Sequence, residues 1–377
     1  MKLPNIQMLR ACAAMMIVIY HCGIETARLS AAAGNAKLFD ENAWSAGVPL
    51  FFAISGFIMV VTSAKFFGSA TASLDFMRRR IIRIVPLYWL VTTVALVAVL
   101  AAPNLMKAPP DDWLYVISSY LFWPCMRASG DIRPLATPGW TLNLEMLFYV
   151  VFAVALLFRR GIGLAVLFGS LGLLVAARVA GLLPGVALNF WCDPILLGFL
   201  FGAAAGVAFN NGWRLSGPWA IALGAIGFGI IFFGGTPSGA ESDLWPRLAF
   251  ALPSSLILIA FAFGPQVDER RALWRPALLI GDASYSLYLV QEFLLRLLSL
   301  AWHKAPLAPL PLWVFFPVGI AVACAVALAT YFSFERPVTN WLNGKGAPHP
   351  VRVLGRLFRG VKTARNTRPA PQAMSAR

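Results

Sequence analysis

The chain is poor in charge. Only 12% of its 377 residues are Asp, Glu, Lys or Arg, while 59% are hydrophobic; soluble domains carry about 25% charged residues. One aqueous core could not hide so much apolar side chain, so lipid must replace water around the outer faces. Histidine is scarcer still, at three residues, which gives no basis for a His-rich metal site, and no metal is expected. The five cysteines, Cys12, Cys22, Cys125, Cys192 and Cys324, form no CxxC pair and lie in or beside apolar runs. That pattern excludes a disulfide framework and suits small packing residues. A P-loop, HExxH, GxSxG and a strand-borne GxGxxG are all missing, as is any internal repeat.

Acid is the other shortage: 16 Asp+Glu stand against 31 Lys+Arg, a formal net charge of +15. In a soluble chain that balance would suggest nucleic acid. Here the bases lie between apolar spans and at the C-terminus, with no basic stripe interleaved with aromatics. The expected partner is an anionic bilayer surface, not nucleic acid.

What the chain has instead is apolar runs of spanning length, each about 20 residues. They predict an all-α integral membrane bundle of about ten transmembrane helices, near residues 8–25, 44–63, 82–101, 139–158, 162–182, 188–209, 217–234, 246–264, 280–301 and 312–334. Arg10 lies inside the first run, and no convincing small-x-small cleavage pattern follows Tyr20, so this run is expected to be a retained helix rather than a signal peptide. The stretch 111–124 is too short to span and fits an interfacial or re-entrant piece with aromatic anchors.

Lys and Arg counts orient the bundle. With the N-terminus in the cytoplasm, the inner loops hold Lys65, Arg78, Arg79, Arg80 and Arg83, then Arg159 and Arg160, Arg214, and Arg270, Arg271 and Arg275. The outer loops take most acids, namely Asp40, Glu41, Asp111, Asp112, Asp131, Glu241 and Asp243. Both termini are therefore expected inside. Residues 1–343 read as one transmembrane domain. Residues 344–377 read as a basic cytoplasmic tail, first amphipathic on the membrane surface through Val351, Leu354, Leu357, Phe358 and Val361, then disordered.

Ionisable groups inside a span need a partner or a job. Arg10 and His21 are 11 residues apart on the first helix, about 20° from the same heading and roughly 16 Å apart along the axis. Glu25 follows His21 by one turn. On the fourth helix, PGWTLNLEMLFY puts Glu145 about 8 Å below the outer boundary, close to the depth of His21. An imidazole and a carboxylate at one level can pair. The pair would be either a general base towards a hydroxyl or a helix-locking hydrogen bond. The arginines at 78, 79, 80 and 83 can bind phosphates or serve as a positive-inside anchor. Glu292 and Arg296 suggest an internal ion pair, Asp193 and Arg178 another, and Ser55 beside Gly56 a packing group. His303 and His349 are expected to be solvated.

These residues also sit in familiar company. LRACAAMMIVIYH (9–21), GVPLFFAISGFIM (47–59), RRRIIRIVPLYWL (78–90), GWTLNLEMLFY (139–149), SYSLYLVQE (284–292) and FERPVTNWL (334–342) resemble, in order, the landmarks of the membrane acyltransferase 3 family. The form of GWTLNLEM is most similar to its exopolysaccharide-acetylating, ExoZ-type branch. The resemblance implies an O-acyltransferase in a bacterial inner membrane. It would move an acyl group, most simply from acetyl-CoA, to a hydroxyl of an exopolysaccharide, another surface glycan or a lipid-linked saccharide. It implies His21 as the catalytic residue with Arg10 as its motif partner and Glu145 as the matching carboxylate. It also implies that Arg78, Arg79, Arg80 and Arg83 hold the CoA donor. In many relatives a histidine follows SYSLYL; here Gln291 and Glu292 stand there. Two rivals fit a ten-helix bundle. A transporter or flippase for a lipid-linked sugar would show repeated halves, and a structural subunit would tolerate loss of Arg10, His21 and Glu145.

Overall fold

A computed structural model describes residues 3–101, 112–127, 130, 132–235, 243–302 and 310–344. The expected tail beyond 344, His303, His349, Asp111, Asp131 and Glu241 lie outside the described residues.

The described chain is helical throughout, with no strand. In order come α1 (Pro4–Ala32), a 3-10 turn (Asn42–Ala46), α2 (Gly47–Ser63), α3 (Ala70–Ala101), α4 (Trp113–Tyr120), α5 (Gly139–Leu156), α6 (Arg160–Val179) and α7 (Val186–Trp191). Then follow α8 (Leu197–Asn210), α9 (Gly217–Phe233), α10 (Leu244–Phe263), α11 (Arg275–Asp282), α12 (Ser284–Trp302), α13 (Phe315–Thr330), a π-turn (Tyr331–Glu335) and α14 (Arg336–Leu342). All ten apolar segments fall on helices. Among the described residues, eight helical stretches are long and apolar enough to cross a membrane. The other two expected segments are α9, 17 residues long, and α12, 19 residues long, whose middle carries Gln291, Glu292 and Arg296.

The helices at the edge present apolar side chains outward. Ile162 and Leu173 on α6, Ile221 and Phe233 on α9, and Val94 and Val97 on α3 are exposed, as a lipid-facing surface requires. The span Val186–Asn210 is instead 72% buried, against 22% for Arg160–Val179, so α8 is central and α6 peripheral. Small residues let α8 lie against α2. A Cβ on Gly202 would come 1.9 Å from the Ala53 carbonyl oxygen, and one on Gly56 would come 2.1 Å from that of Phe199. Backbones this close gain dispersion contacts that lipid cannot match. Beside them Phe52, Phe199 and Phe148 stack with centroids 4.2 and 4.4 Å apart, tying α2, α8 and α5 together.

Both ends of the described chain meet at one end of the bundle, here termed basal. The Asn5 amide donates to the carbonyls of Phe261 and Pro265, both at 3.0 Å, past the middle and end of α10. Arg78 donates to the Leu342 carbonyl at 3.2 Å, at the end of α14.

Two boundaries differ from the sequence reading, with consequences for the site. α3 starts at Ala70, not near 82, and runs 32 residues, or about 48 Å. Ser69 Oγ accepts from the Ala72 backbone N–H at 3.2 Å, a cap-type bond that starts the helix early. The arginines thus sit within a helix rather than at its mouth. α5 begins below the distal surface, because residues 132–138 enter the bundle ahead of it; Thr137 and Pro138 line a cavity there.

Candidate active site

Two cavities lie next to each other inside the bundle. The distal one, of about 310 Å³, is lined by His21, Glu25 and Arg28 of α1, Trp140 of α5, Arg247 of α10 and Glu292 of α12, among others. The basal one, of about 260 Å³, is lined by Arg10, Ser55, Arg80, Arg83, Glu145 and Tyr149, among others. Val48 and Tyr288 line both, so the cavities meet at those two side chains.

In the distal cavity two groups meet one ring nitrogen of His21. Its Nδ1 lies 3.1 Å from the Ile17 carbonyl oxygen and 2.8 Å from Gln291 Nε2, and its ring meets Tyr20 edge-on at 5.1 Å. Its Nε2 faces Glu292 Oε2 at 3.7 Å. That separation exceeds a hydrogen bond but leaves the carboxylate close enough to stabilise an imidazolium. Glu25, only 4% exposed, is paired with Arg28 and, at 3.3 Å, with Arg296. Arg247 clasps Asp193 through Nε and Nη2 at 2.9 and 3.0 Å.

These contacts revise three expected pairings. Glu292 turns to His21, and Arg296 crosses to Glu25 instead. Asp193 pairs with Arg247 rather than Arg178, whose Nε is buried without a hydrogen-bond partner. Glu145 is not the carboxylate beside His21: it lies in the basal cavity, where it accepts from Ser55 Oγ at 3.0 Å and from the Tyr149 hydroxyl. The depth count started α5 at the membrane boundary. Since α5 starts deeper, Glu145 falls beyond the junction at Tyr288. Ser55, expected only to pack, is a polar ligand of that carboxylate; Gly56 does pack.

In the basal cavity Arg10 donates to Ser284 Oγ at 2.8 Å and to Gln7 Oε1 at 3.2 Å. Arg10 and His21 share a helix face as the period requires, yet they serve different cavities. The arginine cluster divides as well. Arg80 and Arg83 line the cavity, with Arg80 over the rings of Phe76 and Tyr149 at 5.4 and 5.7 Å. Arg80 Nε is buried and has no hydrogen-bond partner. Arg78 and Arg79 are exposed on the other side of the helix. Three guanidinium groups and one carboxylate give the basal cavity a net positive lining, with donors suited to phosphate oxygens.

Glu292, Gln291 and Tyr288 are the site residues that sequence reasoning did not assign. A signal existed: along SYSLYLVQE, residues 284, 285, 288, 291 and 292 recur at three- and four-residue spacing, one helix face.

The fold and its polar interior define a multi-pass helical membrane protein with two cavities lined by polar side chains. The family model described as an acyltransferase domain matches residues 3–332, and the chain belongs to that family. It is 33% identical over 300 residues to the exopolysaccharide production protein ExoZ of Rhizobium meliloti (strain 1021), covering 78% of this chain and 89% of that one. It is 27% identical over 326 residues to the acyltransferase MdmB of Streptomyces mycarofaciens, covering 78% and 79%. No solved structure matches the chain.

Proposed function

We propose that the protein is an O-acyltransferase that takes an acyl group, most simply acetyl, from cytoplasmic acyl-CoA and moves it to a hydroxyl of an exopolysaccharide or similar surface glycan. The observation that carries this reading is the pair of adjacent chambers that share Val48 and Tyr288, one lined by arginines and the other bearing His21 beside Glu292. The ExoZ relative, by its name, favours an exopolysaccharide acceptor. The basal end is taken as cytoplasmic because the Lys- and Arg-rich loops gather there, which puts both described ends inside and the protein in a bacterial inner membrane.

The basal chamber fits the donor. Arg10, Arg80 and Arg83 would bind its phosphates, with the orphaned Arg80 Nε supplying a ready donor. Glu145, held by Ser55 and Tyr149, keeps the guanidinium groups apart and oriented. Arg10 and His21 are separated by roughly 16 Å along α1, about the reach of five extended residues, and a pantetheine arm has a similar span. The distal chamber fits a sugar. Trp140, Tyr20 and Phe250 supply apolar faces, and the Glu25 and Arg28 side chains supply hydrogen-bonding groups.

In the reaction, His21 Nε2 takes the proton of the sugar hydroxyl as its oxygen attacks the thioester carbonyl carbon. Glu292 stabilises the imidazolium so formed. The carbon–sulfur bond breaks, and the thiolate recovers the proton from His21. The products are the glycan ester and CoA thiol. A His21→Ala variant tests this in cells that need the protein for glycan acylation. Acylation should be lost while membrane insertion persists; normal acylation by inserted variant protein refutes the reading. A flippase predicts no acyl-CoA binding by purified protein, so that measurement separates the rival.

A further inference from the structure

Both chambers depend on a single helix face. Ser284 and Tyr285 of α12 line the basal chamber, Glu292 lines the distal one, and Tyr288 lines both. The Tyr288 ring is fixed across the junction. Its hydroxyl lies 2.7 Å from Thr141 Oγ1 and donates to the Pro138 carbonyl at 3.2 Å, so it reaches from α12 to the entry of α5. The ring meets Phe51 of α2 edge-on at 6.0 Å. Val48, also on α2, completes the neck. An aromatic ring tethered at its far end cannot swing aside without giving up a part-buried hydrogen bond.

A passage running through both chambers would have a chemical problem. Water entering from the distal side would pass the neck and reach a thioester still in the donor chamber, away from the sugar hydroxyl. Its oxygen would bond to the acyl carbon, the carbon–sulfur bond would break, and free acid and CoA thiol would leave with no glycan modified. We propose that Tyr288, opposite Val48, is the partition of this passage: with no donor arm threaded through it, it closes the donor chamber from the acceptor chamber, and it limits the size of the acyl group that can pass to His21. The role in acyl selection rests on the acyl-transfer reading; the role as a barrier does not.

Two measurements on the full chain test it. In a variant with the five native cysteines replaced, Ser55→Cys places a thiol in the basal chamber. A membrane-impermeant methanethiosulfonate reagent is then added from the distal side in oriented proteoliposomes. With Tyr288 present the thiol should be protected; with Tyr288→Ala its labelling rate should rise several-fold. Val48→Ala opens the neck from the opposite wall and should act in the same direction, which covers the case where Tyr288→Ala fails to insert. Labelling at the same rate in all three backgrounds overturns the barrier.

The second measurement uses purified protein carrying native Ser55, with acetyl-, propionyl-, butyryl- and hexanoyl-CoA as probes, and reads CoA thiol release without acceptor. One methylene in a fitted pocket discriminates by about 10-fold or more, so Tyr288→Ala should raise butyryl relative to acetyl turnover by at least about 10-fold. It should also raise acceptor-independent hydrolysis. Tyr288→Phe keeps the ring but loses the tether, and should hydrolyse at an intermediate rate with the acyl preference unchanged. If wild-type protein binds and turns over acyl-CoA but neither the profile nor the labelling changes, the partition is wrong and the acyl-transfer reading survives. If labelling changes but wild-type protein neither binds nor cleaves acyl-CoA, the acyl-transfer reading is wrong and the barrier survives.

Discussion

Replacing Glu292 by Gln removes one charge and keeps the side chain's shape, so it isolates what that carboxylate does for His21. At 3.7 Å, an imidazolium and a carboxylate in a medium of effective dielectric 20 attract by about 4 kcal/mol. The side chains are 18% and 30% exposed, and screening reduces the sum to about 2 kcal/mol. At 1.36 kcal/mol per decade, that is a loss of about 30-fold in kcat. KM for acetyl-CoA should be unchanged, because the proposed phosphate-binding arginines lie in the other chamber. Thiol release with acceptor polysaccharide from the producing cells measures both constants. The decisive form is a cycle with His21→Ala, which by loss of the base should cost about 100- to 10,000-fold. If Glu292 acts only by stabilising the charged ring, the double variant should be no slower than His21→Ala alone. Losses that multiply would show that Glu292 acts independently of the imidazole, and the proposed division of labour would fall.

Other perturbations probe the second chamber and the frame around it. Arg10→Ala and Arg80→Ala should each raise KM for acyl-CoA by about 10- to 100-fold, the worth of a charge-assisted hydrogen bond, while Arg78→Ala and Arg79→Ala, being exposed, should change it little; equal effects at all four would refute the split cluster. Gly202→Val should abolish a monodisperse peak in detergent size-exclusion chromatography, since even a Cβ would come 1.9 Å from the Ala53 carbonyl oxygen and both backbones would have to part. Arg247→Gln should destabilise the protein by about 3 kcal/mol by leaving Asp193 unpaired in a largely buried position, and the added change Asp193→Asn should recover part of the lost thermal stability.

The positions of the spanning helices were legible because the bilayer imposes a length on each apolar run, and a run of that length has one regular structure available to it. The shared face of Arg10 and His21 was legible for a similar reason: helical periodicity fixes relative headings within one continuous element. Depth between elements is different, because it depends on where a loop chooses to enter the bundle. Residues 132–138 bring α5 in low, and that displacement moves Glu145 out of reach of His21 and into the company of Ser55 and Tyr149. The same limit explains the exchanged ion pairs. Glu292 and Arg296 are one turn apart on α12, which makes them natural partners for a reader of one helix. α1, packed alongside, offers Glu25 to the arginine and His21 to the carboxylate. A buried charge is satisfied by whichever neighbour the packing supplies, so the pairing is a property of two helices and cannot be read from either. For that reason the stripe from Ser284 through Tyr288 to Glu292 is the most informative feature that the sequence held. It is a single-helix pattern, readable at three- and four-residue spacing, and it runs the length of the path an acyl group would have to travel.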